Sequence, residues 1–248
     1  MLRWICLLLA LLCLPTGAQE LSLRTVRQAG SLVKYAPDGD PRQPGLCMEI
    51  LLAVERIDPG LRFDGTDQQV PLKRVERLLA ERQIDAFFCL LKSPDREAQW
   101  RYLPVPLYTI RHVLVQRAAD ARPFGTLAEL ALASRYKPVA ITRGTVLRQP
   151  LEAAGVRYVE VSSEREALQM LALGRADAVY GQDINLLRYI ADERLGEQLS
   201  VSRNAFHEES QFLTTRADLP AAQVERLTQA LRRLERDGTL RELSGKYR

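Results

Sequence analysis

The chain has 248 residues, 46% of them hydrophobic, and 35 Lys and Arg against 31 Asp and Glu give a formal charge of +4 at pH 7. The basic excess is dispersed among Arg–Glu neighbours such as Glu76-Arg77 and Glu81-Arg82. There is no clustered basic face of the kind nucleic-acid binding needs. The length fits one large domain or two lobes of roughly 100 residues each.

The first element is a leader. Met1 to Trp4 carry one positive charge, at Arg3, and Ile5 to Leu14 form an apolar run. Pro15-Thr16-Gly17-Ala18 then offers small residues before a cleavage point, so residues 1–18 read as a secretory signal peptide cut after Ala18. The run is short of the roughly 20 apolar residues that span a bilayer. It also lacks the polar face of an interfacial anchor. Cys6 and Cys13 follow bulky Leu or Ile, a poor context for lipid attachment. Cleavage leaves 34 basic and 31 acidic residues, a charge of +3, with Cys47 and Cys89. An even pair in an exported chain permits a disulfide, and two buried thiols are the alternative. No later segment reaches 18 unbroken apolar residues, so the mature chain is not expected to insert in a membrane.

The mature chain alternates strands and helices. Leu21 to Arg27 reads as a strand, Met48 to Arg56 as a helix before an Asp58-Pro59-Gly60 turn, and Leu61 to Asp64 as a strand. Pro71 to Arg82 has apolar residues at 72, 75, 78 and 79, the helical spacing, with Pro at its start. Ile84 to Leu91 is an unbroken apolar run of buried-strand type. Val105 to Arg117 is extended, its stretch Tyr108 to Val115 reads as a crossover, and Leu127 to Ala133 is a short helix after Thr126.

A second block follows. Pro138 to Thr142 is a strand, Thr145 to Ala154 a helix closed by Gly155, and Val156 to Val161 a strand. Ser163-Glu164-Arg165-Glu166 is a capping box that opens a helix ending at Gly174. Ala176 to Tyr180 is a strand, and Asp183 caps a helix to Arg194. Gln211 to Thr215 is a strand, and Pro220 to Arg236 a long amphipathic helix. Two βαβ-like blocks predict an α/β protein of two lobes with mainly parallel sheets.

Four segments carry a family resemblance. They are Gly45-Leu46-Cys47-Met48-Glu49-Ile50, Ile84-Asp85-Ala86-Phe87-Phe88 with Ser93-Pro94-Asp95-Arg96, Gly174-Arg175-Ala176-Asp177-Ala178-Val179, and Leu234 to Leu240 with the ending Gly245-Lys246-Tyr247. In this order, behind a signal peptide, they resemble the extracellular solute-binding proteins of polar amino-acid ABC transporters, family 3. The likeness covers nearly the whole mature chain. It implies the two-lobed periplasmic binding protein type II fold, with ligand held between lobes that close by hinge bending. Lobe 1 is expected at residues 19–110 and 209–248, and lobe 2 at 111–208. It further implies a monomer in the periplasm that captures a small carboxylate or amino acid. An ABC permease and ATPase would be separate chains, and no cofactor or metal is expected.

The resemblance places a carboxylate-binding arginine at Arg96, whose planar guanidinium suits that anion. Thr142-Arg143-Gly144-Thr145 reads as a strand-to-helix loop whose free N–H groups favour an anion, with Gly144 permitting close approach. Tyr35, Tyr108 and Trp100 are candidate aromatic walls. The family's amino-group aspartate falls at Gln182, with Asp183 one residue further, so the acidic half of the site is displaced. With Arg96, Arg143 and the loop converging, an acidic or neutral carboxylate is expected over a basic amino acid. In the resembled fold, Cys47 and Cys89 end neighbouring elements and stand where polar residues are usual, which implies a disulfide between them. Two rivals share the scaffold. One is a dehydratase-like enzyme, with Glu208, Glu209 and His207 as acid candidates. The other is a sensory module for a membrane receptor.

Overall fold

In a computed structural model of the chain, the described residues are 20–31, 33–36, 42–134 and 136–248. The leader read at 1–18 lies outside them. The first half contains strands β1 (Leu21–Arg24) and β2 (Arg27–Gln28), helix α1 (Leu46–Ile57), β3 (Leu61–Asp64), β4 (Gln69–Val70), α2 (Leu72–Ala80), β5 (Ala86–Leu91) and the single turn α3 (Pro94–Glu97). The long strand β6 (Trp100–Arg117) leads into the second half. There follow α4 (Leu127–Ala133), β7 (Val139–Thr142), α5 (Arg148–Ala153), β8 (Tyr158–Val161), α6 (Glu164–Ala172), β9 (Ala178–Gln182), α7 (Asp183–Asp192) and β10 (Leu199–Val201). Strand β11 (His207–Arg216) returns to the first half, which α8 (Ala221–Arg236) and α9 (Thr239–Gly245) complete.

Local chemistry sets several of these boundaries. Ser93, Thr126 and Ser163 cap α3, α4 and α6 by accepting the backbone N–H three residues on. Glu166 reaches back to accept the Ser162 N–H at 2.8 Å, one residue before the cap. The strand expected over Leu21–Arg27 is split into β1 and β2. Gly65 backs so tightly on the Thr25 carbonyl that a Cβ there would stand 2.4 Å away. Helix α9 was not legible as a separate element. Gly238, at φ +85°, takes the left-handed conformation that ends α8 and lets α9 start.

The main sheet runs β5-β11-β6-β9-β7-β8, with β10 on β6. Its parallel pairs are β7–β8 and β7–β9, and β1–β3 and β2–β4 are parallel pairs outside it. The two long strands, β6 and β11, run antiparallel to each other and cross together between the halves. Glu208 lies opposite Arg111 and His207 opposite His112 at that crossing.

Apolar cores form on both sides of the crossing. Leu23, Ile50, Phe63, Phe88, Leu107 and Leu231 belong to the first. In the second half, Val113 and Val115 of β6 join one core and Leu114 another, because alternate residues face opposite sides of the sheet. Strand β5 is buried throughout, as its unbroken apolar run predicts. It also carries an irregularity. Phe212 pairs with Leu90 and Thr214 with Phe87, so Phe88 and Cys89 together oppose Leu213. Cys89 sits in this bulge at φ +65°, a region costly for a residue with a Cβ.

Asp85, before β5, accepts from the Arg24 backbone N–H and guanidinium at 2.9 Å and from Arg216 Nε at 3.0 Å. It thereby ties together the ends of β1, β5 and β11. Among the described residues no helix is long and apolar enough to cross a membrane.

Candidate functional site

The two halves meet across a narrow, partly open cleft whose cavity is about 20 Å³. Lys34, Leu90 and Arg96 line it from one side, and Thr142, Glu164, Gln182 and Asn185 from the other. The halves touch around it. Ser31 Oγ lies 3.1 Å from Asn185 Oδ1, Tyr189 donates to the Gly30 carbonyl at 3.2 Å, and Arg96 Nη2 to the Gly144 carbonyl at 3.4 Å.

Lys34 is a buried cation of this cavity, as is Arg96. Its Nζ donates to the Cys89 carbonyl at 3.0 Å and to Gln211 Oε1 at 3.5 Å. Its own carbonyl accepts from the Cys47 N–H at 3.0 Å. Gly45, at φ +105°, allows the start of α1 to come this close, since a Cβ there would stand 2.4 Å from the Lys34 carbonyl oxygen. A disulfide joins Cys47 to Cys89, with Cα atoms 6.1 Å apart. The two backbone groups that hold Lys34 are therefore covalently connected.

Burial pushes the Lys34 ammonium down to about 7; Glu164 opposes the shift and Arg96 adds to it. Glu164, the first residue of α6, receives Asn185 Nδ2 at 3.3 Å. Burial pushes its carboxyl up, and Lys34 and Asn185 partly offset this. The cavity thus holds a buried base and a buried acid, one from each half, with Arg96 beside them.

The other expected site residues divide. Arg96 is buried and lines the cavity, but its donors are engaged. Nε and Nη2 reach one oxygen of Glu76, at 3.0 and 2.7 Å, and Nη1 reaches the Leu91 carbonyl at 3.1 Å. Glu76 also takes Lys73 at 2.8 Å. Gln182 lines the cavity, its amide oxygen near Gln211 Nε2 at 3.4 Å. Thr142 and Thr145 line it as well.

The helix expected from Thr145 begins only at Arg148. Gly144, at φ +75°, and the Thr145 hydroxyl, donating to the Thr142 carbonyl at 2.8 Å, fold residues 142–146 into a turn instead. The Gly144 N–H faces Glu160 Oε1 at 3.4 Å, and the exposed Arg143 lines an adjoining surface mouth beside Gln28 and Ser162. The anion-binding helix start is therefore corrected, and Arg143 does not converge on the cavity.

Four further expected residues do not line the cavity. Tyr35 is in the first core, its hydroxyl on the Phe88 carbonyl at 3.1 Å. Tyr108 is buried 3.7 Å from Cys47 Sγ, on a part of β6 away from the cavity. Asp183 is the first residue of α7 rather than its cap, and its carboxylate accepts the Arg111 N–H at 3.0 Å. That bond turns it to the crossing strand and away from the ligand space. Trp100 lines an outer groove.

The acid candidates of the enzyme reading gather at the crossing. Glu209 lies 3.2 Å from His207 Nε2 and 3.4 Å from His112 Nε2. Burial, with His207 adding, pushes His112 down to about 4. None of the three lines the cavity.

Lys34, Glu164 and Asn185 were missed. Lys34 stands between Val33 and Tyr35, and a lysine inside an apolar run is the one signal that it is buried. Glu164 was read only as a member of the Ser163-Glu164-Arg165-Glu166 capping box.

No protein-family model matches the chain, and no curated protein sequence does. Solved structures do. A histidine kinase sensor domain with similarity to periplasmic binding proteins superposes with a TM-score of 0.76 at 18% identity, covering 92% of this chain and 96% of that one. A mutant ArgBP from T. maritima gives 0.75 at 20%, covering 91% and 94%. The GluR0 ligand-binding core from Nostoc punctiforme, in complex with L-glutamate, gives 0.71 at 19%, covering 91% and 98%. These likenesses establish the fold, the two-lobed α/β architecture of periplasmic binding proteins.

Proposed function

We propose that the chain is an exported solute-binding protein. It captures a small carboxylate or amino acid between two lobes and delivers it, in the periplasm, to an ABC importer whose permease and ATPase are other chains. The observation that carries this reading is the narrow cleft between the halves, with Lys34 on one wall and Glu164 on the other. Supporting it are the leader at 1–18, the fold shared with the ArgBP and glutamate-bound structures, and the motif order of the sequence. The lobes are taken as 19–110 with 209–248, and 111–208. The division falls where β6 and β11 cross side by side, a geometry suited to a two-strand hinge. The protein acts as a monomer.

A second reading is favoured by one observation. The sensor domain of a histidine kinase shares the fold over 96% of its own length. The same capture event would then be reported to a receptor instead of a permease.

The test is a thermal-shift screen of the twenty L-amino acids and small carboxylates on protein stripped by unfolding and refolding. A compound at 100 times its Kd is expected to stabilise the protein by about 2.7 kcal/mol. It should be recovered unchanged by NMR after overnight incubation. A compound that is converted would reassign the chain to an enzyme, and the absence of any shift would reject solute capture.

A further inference from the structure

We propose that Lys34 and Glu164, one from each lobe, receive the two charged ends of the ligand, which is therefore a small zwitterion with an uncharged side chain. The inference rests on the solute-capture reading and assigns the site's specificity within it.

Lys34 has three N–H donors, and the two acceptors it meets, the Cys89 carbonyl and Gln211, are both neutral. Glu164 likewise meets a neutral amide, Asn185. Among the described residues the two charges form no direct ion pair with each other or with any other side chain. Two buried opposite charges that face one cavity without meeting are costly alone, and a ligand carrying the complementary pair at its ends relieves both.

Arg96 does not offer the same opportunity. Glu76 already holds its guanidinium at 2.7 Å, and a ligand carboxylate arriving there would meet that carboxylate as well. The remaining bonds of Arg96, to the Leu91 carbonyl in lobe 1 and the Gly144 carbonyl in lobe 2, make it a latch across the closed interface. Among the described residues, the other polar lining groups, Gln28, Thr142, Thr145, Gln182 and Asn185, are uncharged. A ligand with an additional side-chain charge would find no counter-charge. The anion preference expected from Arg96 and Arg143 is replaced by a balanced cavity, because Glu76 neutralises the first and the second lies outside.

Protonation gives an independent readout. In the unliganded cavity burial holds Lys34 at about 7, with Glu164 of α6 favouring and Arg96 of α3 opposing its charged form. A carboxylate bound at Lys34 favours the ammonium, so binding at pH 8 draws a proton onto Lys34.

The experiment is calorimetry on the stripped mature chain with L-alanine, L-glutamine, L-glutamate, L-lysine and glutaramate, the last being glutamine without its amino group. L-Alanine or L-glutamine should bind about tenfold or more tighter than L-glutamate, L-lysine or glutaramate. Lys34→Met should weaken the best zwitterion by about thirtyfold. It should also lower the protons taken up at pH 8, measured in buffers of different ionisation enthalpy, by about one per ligand. Glu164→Gln, close in shape to the native residue, should erase the preference for L-glutamine over glutaramate, and it carries the test alone if Lys34→Met does not fold. Wild-type protein that prefers L-glutamate or L-lysine overturns the inference. So does a Lys34→Met variant with unchanged affinity, or a Glu164→Gln variant that still rejects glutaramate. If wild-type protein binds none of these compounds nor any in the thermal-shift screen, solute capture itself fails, and the inference with it.

Discussion

Replacing both Cys47 and Cys89 with alanine is expected to lower stability by about 4 kcal/mol. The disulfide closes a sequence separation of 42 residues, and the chain-entropy cost restored to the unfolded state by removing it is of that size. For a chain of this length the melting temperature should fall by roughly 8–16 °C. The effect should reach the cavity. Cys89 lies in the β5 bulge at φ +65°, where a non-glycine residue persists only when its surroundings hold it. Its carbonyl supports the Lys34 ammonium, and the Cys47 N–H supports the Lys34 carbonyl. Freed of the covalent link, both supports relax, so the double variant should also bind its best ligand more weakly. Calorimetric melting with and without reductant checks the first part. A wild-type melting temperature unmoved by full reduction, verified by thiol labelling, would contradict it.

Asp85→Ala is expected to cost about 2–4 kcal/mol. The carboxylate is buried and takes hydrogen bonds from Arg24 and Arg216, joining three strand ends. The figure sits below that for a fully buried network, because the Arg24 side chain is 53% exposed and water replaces part of what it loses. The pH dependence has a definite sign. Burial pushes the Asp85 carboxyl up, but the bonds from Arg24 and Arg216 outweigh it and hold the group below the usual range. The stabilisation is therefore complete above the unfolded-state value of about 4 and is lost as pH falls through the lower folded value. Urea midpoints measured from pH 7 to pH 2.5 should show a shallower acid decline in Asp85→Asn than in wild type. Parallel declines would show that Asp85 does not carry this linkage.

The sequence was informative where one segment decides its own structure. Leu127–Ala133 and Leu61–Asp64 match their expected bounds, and the Ser163–Glu166 cap places the start of α6. The apolar run ending at Leu91 is the buried strand that its composition requires. It was uninformative where the direction of one side chain depends on distant contacts. Gln182 and Asp183 are neighbours, yet one lines the cavity and the other bonds the Arg111 backbone. A residue count along the chain does not resolve which of them turns inward. Tyr35 and Tyr108 carry the aromatic surface of a ligand wall, but packing against Phe88 and Cys47 commits both to the first core. Arg96 was legible as a cavity residue. Its partner Glu76 was not, because the two lie 20 positions apart and meet only when α2 folds against α3. The burial of Lys34 is likewise tertiary, produced by the approach of Gly45 and the bulge at Cys89.

The central claim is that a solute is enclosed between two lobes, and small-angle X-ray scattering tests it most directly. The contacts from Ser31 to Asn185 and from Arg96 to Gly144 join the two halves, and the solute-capture proposal takes them as the closed state. Protein stripped of ligand should relax from it, and saturation with the compound that most raises the melting temperature should restore it. The radius of gyration is therefore predicted to decrease on saturation, to the value calculated from this structure for the same residues. A compound that stabilises the protein while leaving the radius of gyration of the stripped form unchanged would place binding elsewhere and contradict the account.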